Sequence, residues 1–364
     1  MKKKELFVCN TLNQLFTASI IRIKMLKDSA VDIIISDIVP NYDKIAARMC
    51  EYKYFENIYT VEIKSKNEHL INSKGFEKLK MLISSSTYSL NSSIDVNCYK
   101  RIWFYNPNLL MYSILKECRH IDEVEFNHFE EGLGSYVDMI KDPGYAVKFK
   151  KLCPKFELVM PKVKKQYLFK PEYKCYDENY ELVEIPVAEK SDKDIIEFLN
   201  AIFDYENNIN DEKKYLIFED CFSADNIKVN DLEAYREIVS NLGKDNFYVK
   251  RHPRNTTNRF NKLGVHELPG GRVPWELIYL NENVGEIFFT VLSSCVLTPK
   301  MQFGDKTKTV LLCNCLENLQ GWENYISGVE YLANKINEKE EVFYIPKDME
   351  ELREILQKVK KEEI

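Results

Sequence analysis

The feature that most limits this chain is a repeated alternation. A short run of β-branched and aromatic residues is followed by a run with apolar residues at helical spacing, and then by another strand-like run. "ELFVCN" leads into "TLNQLFTASIIRIKMLKD", and "VDIIISDI" leads into "YDKIAARMCEYKYF". "NIYTVEI" follows, "YKRIWFYN" precedes "PNLLMYSILKECR", and "DEVEFNHFEEG" closes the set. Strands alternating with helical patterns predict a parallel sheet with helices on both faces. The pattern breaks in a Lys- and Pro-containing stretch and resumes at "KSDKDIIEFLNAIFD", running on to "EVFYIP". The reading is therefore two α/β domains, residues 1–185 and 186–364, joined by a short connector near Val183–Lys190 with a cleft between them. Ligands of open parallel sheets lie beyond the carboxyl ends of the strands. No G-x-G-x-x-G and no G-x-x-x-x-G-K-[ST] occurs, so neither a dinucleotide fingerprint nor a P-loop is supported.

Composition removes several classes. The 364 residues are 45% hydrophobic, as in ordinary globular proteins, and no apolar run approaches the roughly 18 residues of a membrane span. The basic start "MKKKELFVCNTLNQLF" is interrupted by Glu5, Asn10, Asn13 and Gln14, so it reads as a first strand and not as a signal peptide. Ten cysteines sit singly with no C-x-x-C, and the pair Cys313 and Cys315 has no His beside it. Buried reduced thiols in a cytoplasmic protein fit this better than a metal site or a disulfide scaffold. A net charge of -6 and the absence of a recognition motif argue against nucleic acid as a partner. One segment, Lys148–Lys174, carries nine Lys against two acids with apolar residues between them. It reads as a solvated basic loop or as a patch for an anionic glycan or the inner membrane face.

Polar groups gather at the predicted strand ends. "EFNHFEEGLGSY" places Glu130 and Glu131 before Gly132, where a backbone turn lets a ligand approach. Neighbouring carboxylates raise one another's pKa, which suits a proton acceptor; a solvated turn is the plain alternative. "FYVKRHPR" surrounds His252 and Pro253 with Lys250, Arg251 and Arg254. "PGGRVPWELIYL" contains Glu276, and "EIFFTVLSSCVLT" carries Ser293 and Ser294 at a strand-to-helix junction. Two hydroxyls there form either an anion site or a helix cap. The one D-x-D, Asp192 and Asp194, reads as a helix N-terminus favoured by the dipole.

In this order the motifs resemble those of bacterial sialyltransferases, most closely glycosyltransferase family 52. Glu130–Gly132 is similar to the family's acidic-Gly motif, His252-Pro253 to its His-Pro motif, and Ser293-Ser294 to its serine motif. "FVCNTLNQL" resembles its first strand and loop. The acidic pair here is Glu-Glu where Asp is common. The resemblance implies a GT-B-like fold of two Rossmann-like domains, with the acceptor on the N-terminal side and the nucleotide on the C-terminal side.

It also implies an inverting, metal-independent transfer of sialic acid from CMP-sialic acid to a galactoside of a capsule or lipooligosaccharide. No cofactor beyond that donor is called for, and some relatives pair as homodimers. Glu130 would be the base, with Glu131 next in line. His252 would donate to the leaving phosphate, Ser293 and Ser294 would hold it, and Glu276 would accept from the ribose hydroxyls. Electrostatics adds Arg254, or Lys250 and Arg251, for the phosphate or the sugar carboxylate. Two other readings remain: a transferase using UDP-glucose or UDP-N-acetylglucosamine, and a non-catalytic nucleotide-binding protein of envelope assembly.

Overall fold

The computed structural model describes residues 4–74, 76–77, 94–105, 108–118, 124–137, 163–175, 180–206, 209, 213–222, 227–317, 319 and 322–364. Two parallel sheets organise them. The first contains β1 (Lys4–Cys9), β2 (Val31–Ser36), β3 (Ile58–Val61), β4 (Tyr99–Phe104), β5 (Glu125–Phe129), β6 (Val163–Leu168) and β7 (Glu181–Glu184), in the order β3-β2-β1-β4-β5-β6-β7. The second contains β8 (Tyr215–Phe218), β9 (Phe247–Lys250), β10 (His266–Glu267), β11 (Ile287–Thr290), β12 (Lys308–Leu311) and β13 (Phe343–Tyr344), in the order β10-β9-β8-β11-β12-β13. The described pairings are all parallel, as at Phe7↔Ile33 and Phe289↔Val310. Strands β2, β8 and β11 are buried at every position, because helices cover both faces.

The alternation seen in the sequence is therefore a pair of doubly wound sheets. In each, the strand order reverses beside the first strand, at β1/β4 and at β8/β11, and it is beyond the carboxyl ends at such a reversal that open parallel sheets bind their ligands. The first set does not close at β5 as expected. It continues through β6 and β7, so part of the basic stretch, Lys164 and Lys165 included, lies in a strand.

Eleven α-helices among the described residues surround the sheets. Helix α1 (Leu12–Lys24) starts at Thr11, whose Oγ1 accepts the Gln14 N–H at 3.1 Å. Helices α2 (Tyr42–Tyr52), α3 (Lys64–Asn72) and α4 (Leu109–Cys118) follow, then the short α5 (Gly134–Val137) directly after the acidic pair. Helix α6 (Lys193–Phe203) follows the connector, with Asp192 at its N-cap position and Asp194 in its first turn. It bridges the two halves. Lys24 of α1 meets Asp192 at 2.6 Å, Arg48 of α2 meets Asp204 at 2.5 Å, and Asn200 donates to Asn281 at 2.9 Å. After α7 (Asp231–Leu242) come α8 (Trp275–Asn281), α9 (Thr298–Phe303), α10 (Glu323–Asn337) and α11 (Met349–Lys360).

No disulfide joins the described cysteines. No helix among the described residues is long and apolar enough to cross a membrane. Of the basic stretch, 148–162 lies outside the described residues. Lys164 pairs with Glu125 at 2.8 Å, Lys165 with Glu181 at 3.0 Å, and Lys170 with Glu184 at 3.4 Å.

Candidate active site

Glu130 and Glu131 leave the carboxyl end of β5, and the two carboxyls meet different surroundings. Glu130 is 1% exposed. Its Oε2 accepts the Tyr136 hydroxyl at 2.5 Å and the Phe169 N–H at 2.7 Å. Tyr136 lies in α5, and its hydroxyl in turn accepts the Lys170 N–H at 3.2 Å. Burial pushes the Glu130 carboxyl up to about 7, against the pull of these donors. The charge of Glu276 adds to the rise and the Gln302 side chain opposes it. Both belong to the second domain, so Glu130 stands where the domains face each other.

Glu131 is partly exposed. Burial also raises its carboxyl to about 7, while the Thr11 and Gln14 side chains and the Arg254 charge hold it back. Its backbone is fastened on both sides. The Glu131 N–H donates to Ser135 Oγ at 3.0 Å, and its carbonyl accepts Asn13 Nδ2 at 2.5 Å. Gly132 then adopts φ +132°, a conformation that L side chains avoid. A Cβ added there would lie 3.4 Å from Ser294 Oγ, which places the serine motif directly opposite the acidic-Gly motif.

The cations around His252 divide by burial. Lys250 is 5% exposed and donates to the Gly271 and Val273 carbonyls at 2.9 and 3.1 Å, fastening the loop that leads into α8. Arg251 is equally buried; it pairs with Glu267 at 3.0 Å and donates to the Asn255 carbonyl. Arg254 alone of the three is exposed, and its charge reaches Glu131 across the cleft. The charge that looked collective in the sequence is thus mostly internal. His252 is partly exposed, and its Nδ1 accepts the Arg254 N–H at 3.3 Å. A neutral imidazole held this way carries its proton on Nε2.

Beyond β11, Ser293 precedes and Ser294 opens a 3₁₀ turn, Ser294–Val296. Neither hydroxyl caps a helix: Ser293 sits at the N-cap position of that turn with no side-chain bond to it. Glu276 lies in the first turn of α8 and is 4% exposed. Burial raises its carboxyl, opposed by the Lys250 charge and the Thr298 side chain. The structure therefore brings Glu130, Glu131, Gly132, Arg254, Glu276 and Ser294 into one interdomain region, with His252-Pro253 in the loop that carries Arg254. Among the described residues no group of three or more His, Cys, Asp or Glu is placed to hold a metal ion. Sequence reasoning missed Tyr136, whose only signal was its place six residues after Glu130. It also missed Gln302, for which no signal exists in the local sequence.

Residues 5–312 match the family model described as alpha-2,8-polysialyltransferase (POLYST). The chain belongs to the alpha-2,8-polysialyltransferase family. As a member of that family it is a glycosyltransferase of the bacterial sialyltransferase type, and the match spans both halves of the site. The structure titled TcCGT1 in complex with UDP is similar at TM-score 0.50 and 9% identity, covering 99% of this chain and 90% of that one. MurG from Acinetobacter baumannii is similar at TM-score 0.44 and 9% identity, covering 98% of this chain and 90% of that one. The fold of this polysialyltransferase-family chain is GT-B, as the sequence resemblance implied. A comparison with curated proteins finds no match.

Proposed function

We propose that the chain moves sialic acid from CMP-sialic acid onto the terminal sugar of a surface glycan, with inversion at the anomeric carbon. The observation that carries the reading is the facing of the acidic pair and the serine motif across the cleft, with Ser294 Oγ within 3.4 Å of a Cβ at Gly132. One side supplies a carboxyl held near neutrality and the other supplies hydroxyls and an imidazole N–H. An inverting transfer needs that pairing.

In this reading Glu130 takes the proton of the acceptor hydroxyl as its oxygen attacks the anomeric carbon. The bond from that carbon to the phosphate oxygen breaks, and CMP leaves. The carboxyl at about 7 is ionised in a useful fraction of molecules near neutral pH and still basic enough to accept a proton. Tyr136 and the Phe169 N–H fix one carboxyl oxygen, which orients the other. His252 Nε2 and the hydroxyls of Ser293 and Ser294 meet the charge that grows on the phosphate. Glu276 accepts from the ribose, and Arg254 neutralises the sugar carboxylate. The mechanism so drawn calls on no metal ion. Glu131 is the alternative base, favoured by its greater exposure.

The family's description supports a sialoside as acceptor beside the galactoside that the sequence resemblance implied. Incubation with CMP-sialic acid and either acceptor tests the reading. CMP release together with a new sialoside supports it. Turnover with a UDP-sugar alone moves the donor to the UDP class, and CMP binding without turnover of any donor leaves a nucleotide-binding protein.

A further inference from the structure

The segment "FED" at the end of β8 has no part in the mechanism, yet it touches both loops that do. In the second sheet β8 lies between β9, which leads to His252, and β11, which leads to Ser293. Glu219 and Asp220 sit at its carboxyl end, at the point where the strand order reverses, and both are buried. Glu219 Oε2 accepts the backbone N–H of His252 at 3.3 Å. Its Oε1 accepts Arg259 Nε at 2.8 Å, and Arg259 also grips Asp231 with both terminal nitrogens, at 2.7 and 2.5 Å.

Asp220 faces the other way. Its Oδ2 accepts the Val291 N–H and its Oδ1 the Leu292 N–H, each at 3.2 Å. The Thr290 hydroxyl lies 3.2 Å from Oδ2 and 3.0 Å from the Phe218 carbonyl, and it accepts the Ser293 N–H at 3.1 Å. The Asp220 carbonyl accepts Asn255 Nδ2 at 3.0 Å, and the Asn255 N–H returns to the His252 carbonyl at 3.0 Å.

We infer that Glu219, Asp220 and Thr290 are positioning residues that set the spacing of His252 from the serine pair, and so the fit of the donor's phosphate. The inference rests on the donor reading above. None of the three touches the phosphate; they act through backbone N–H groups on either side of it. A buried carboxylate whose two oxygens each accept an N–H cannot be replaced by an amide, because one N–H would then face an NH₂ group. Thr290 separates geometry from volume. Thr290→Val keeps the side-chain volume and loses the hydroxyl, whereas Thr290→Ser keeps the hydroxyl and loses a methyl.

The test is calorimetric titration of CMP into the unmodified protein, Asp220→Asn, Thr290→Val and Thr290→Ser, together with acceptor KM. Asp220→Asn is expected to weaken CMP about tenfold or more and Thr290→Val about fivefold, with Thr290→Ser within about twofold and acceptor KM unchanged. CMP affinity within about twofold of the unmodified protein in Thr290→Val, or equal losses in Thr290→Val and Thr290→Ser, overturns the inference while leaving the donor reading intact. This pair decides even if Asp220→Asn does not fold. Failure of the unmodified protein to bind CMP overturns the donor reading and the inference with it.

Discussion

At the residue scale the central assignment is Glu130. Glu130→Gln is expected to lower turnover about a hundredfold or more with CMP affinity nearly intact, measured by steady-state kinetics and CMP titration. Normal turnover in this variant with loss in Glu131→Gln moves the role to Glu131; normal turnover in both removes the site. The acid limb of the kcat profile should rise with pH and level off above about 7, since the carboxylate is the active form. The same shift has a cost in stability. A carboxyl raised from its ordinary 4.5 to about 7 contributes stability that is full below about 4.5 and lost as pH rises through about 7. The loss at about pH 8 is on the order of a few kcal/mol at most. Glu130→Gln should therefore melt higher than the unmodified protein at about pH 8, with no such gain at about pH 4.5. His252→Ala and Ser294→Ala are expected to reduce turnover with less effect on acceptor KM, because they face the donor's phosphate.

At the element scale the site depends on two close approaches between domains. Gly132 holds φ +132° facing Ser294, and Gly328 of α10 lies so near Val137 of α5 that an added Cβ would fall 2.6 Å from Val137 Cβ. Gly328→Val should spread α10 from α5 and lower turnover about tenfold or more if cleft geometry sets the transition state. Small-angle scattering should show a larger radius; unchanged turnover would mean that this contact is peripheral. The strands other than β6, β7 and β10 were legible from residue types, because fully buried parallel strands such as "VDIIIS" and "IFFT" announce themselves as apolar runs. Strands β6 and β7 were not, since β6 reads "VKKQYL" and its lysines pair with acids that lie elsewhere in the sequence. The division of labour among Lys250, Arg251 and Arg254 was equally invisible. Which cation turns inward depends on the carbonyls of Gly271 and Val273 and on Glu267, partners fixed only by the fold.

At the scale of the whole molecule, two doubly wound domains meet along α6 and at the acidic-Gly and serine motifs, and the proposed chemistry needs both halves. The ion pairs of Lys164 and Lys165 bear on membrane contact, because charge already neutralised by Glu125 and Glu181 attracts lipid weakly. If the protein binds anionic liposomes at low salt, Lys150→Glu with Lys151→Glu should weaken that binding more than Lys164→Glu with Lys165→Glu; the reverse order in a sedimentation assay would contradict this. The claim that organises everything else is the transfer itself. The direct measurement is mass spectrometry of a defined sialoside and a defined galactoside after incubation with CMP-sialic acid, alongside an assay for released CMP. The account predicts that at least one acceptor gains sialic acid in step with CMP release, and that Glu130→Gln abolishes both signals. Unchanged acceptors with intact CMP-sialic acid, in a preparation that turns over a UDP-sugar, would contradict it.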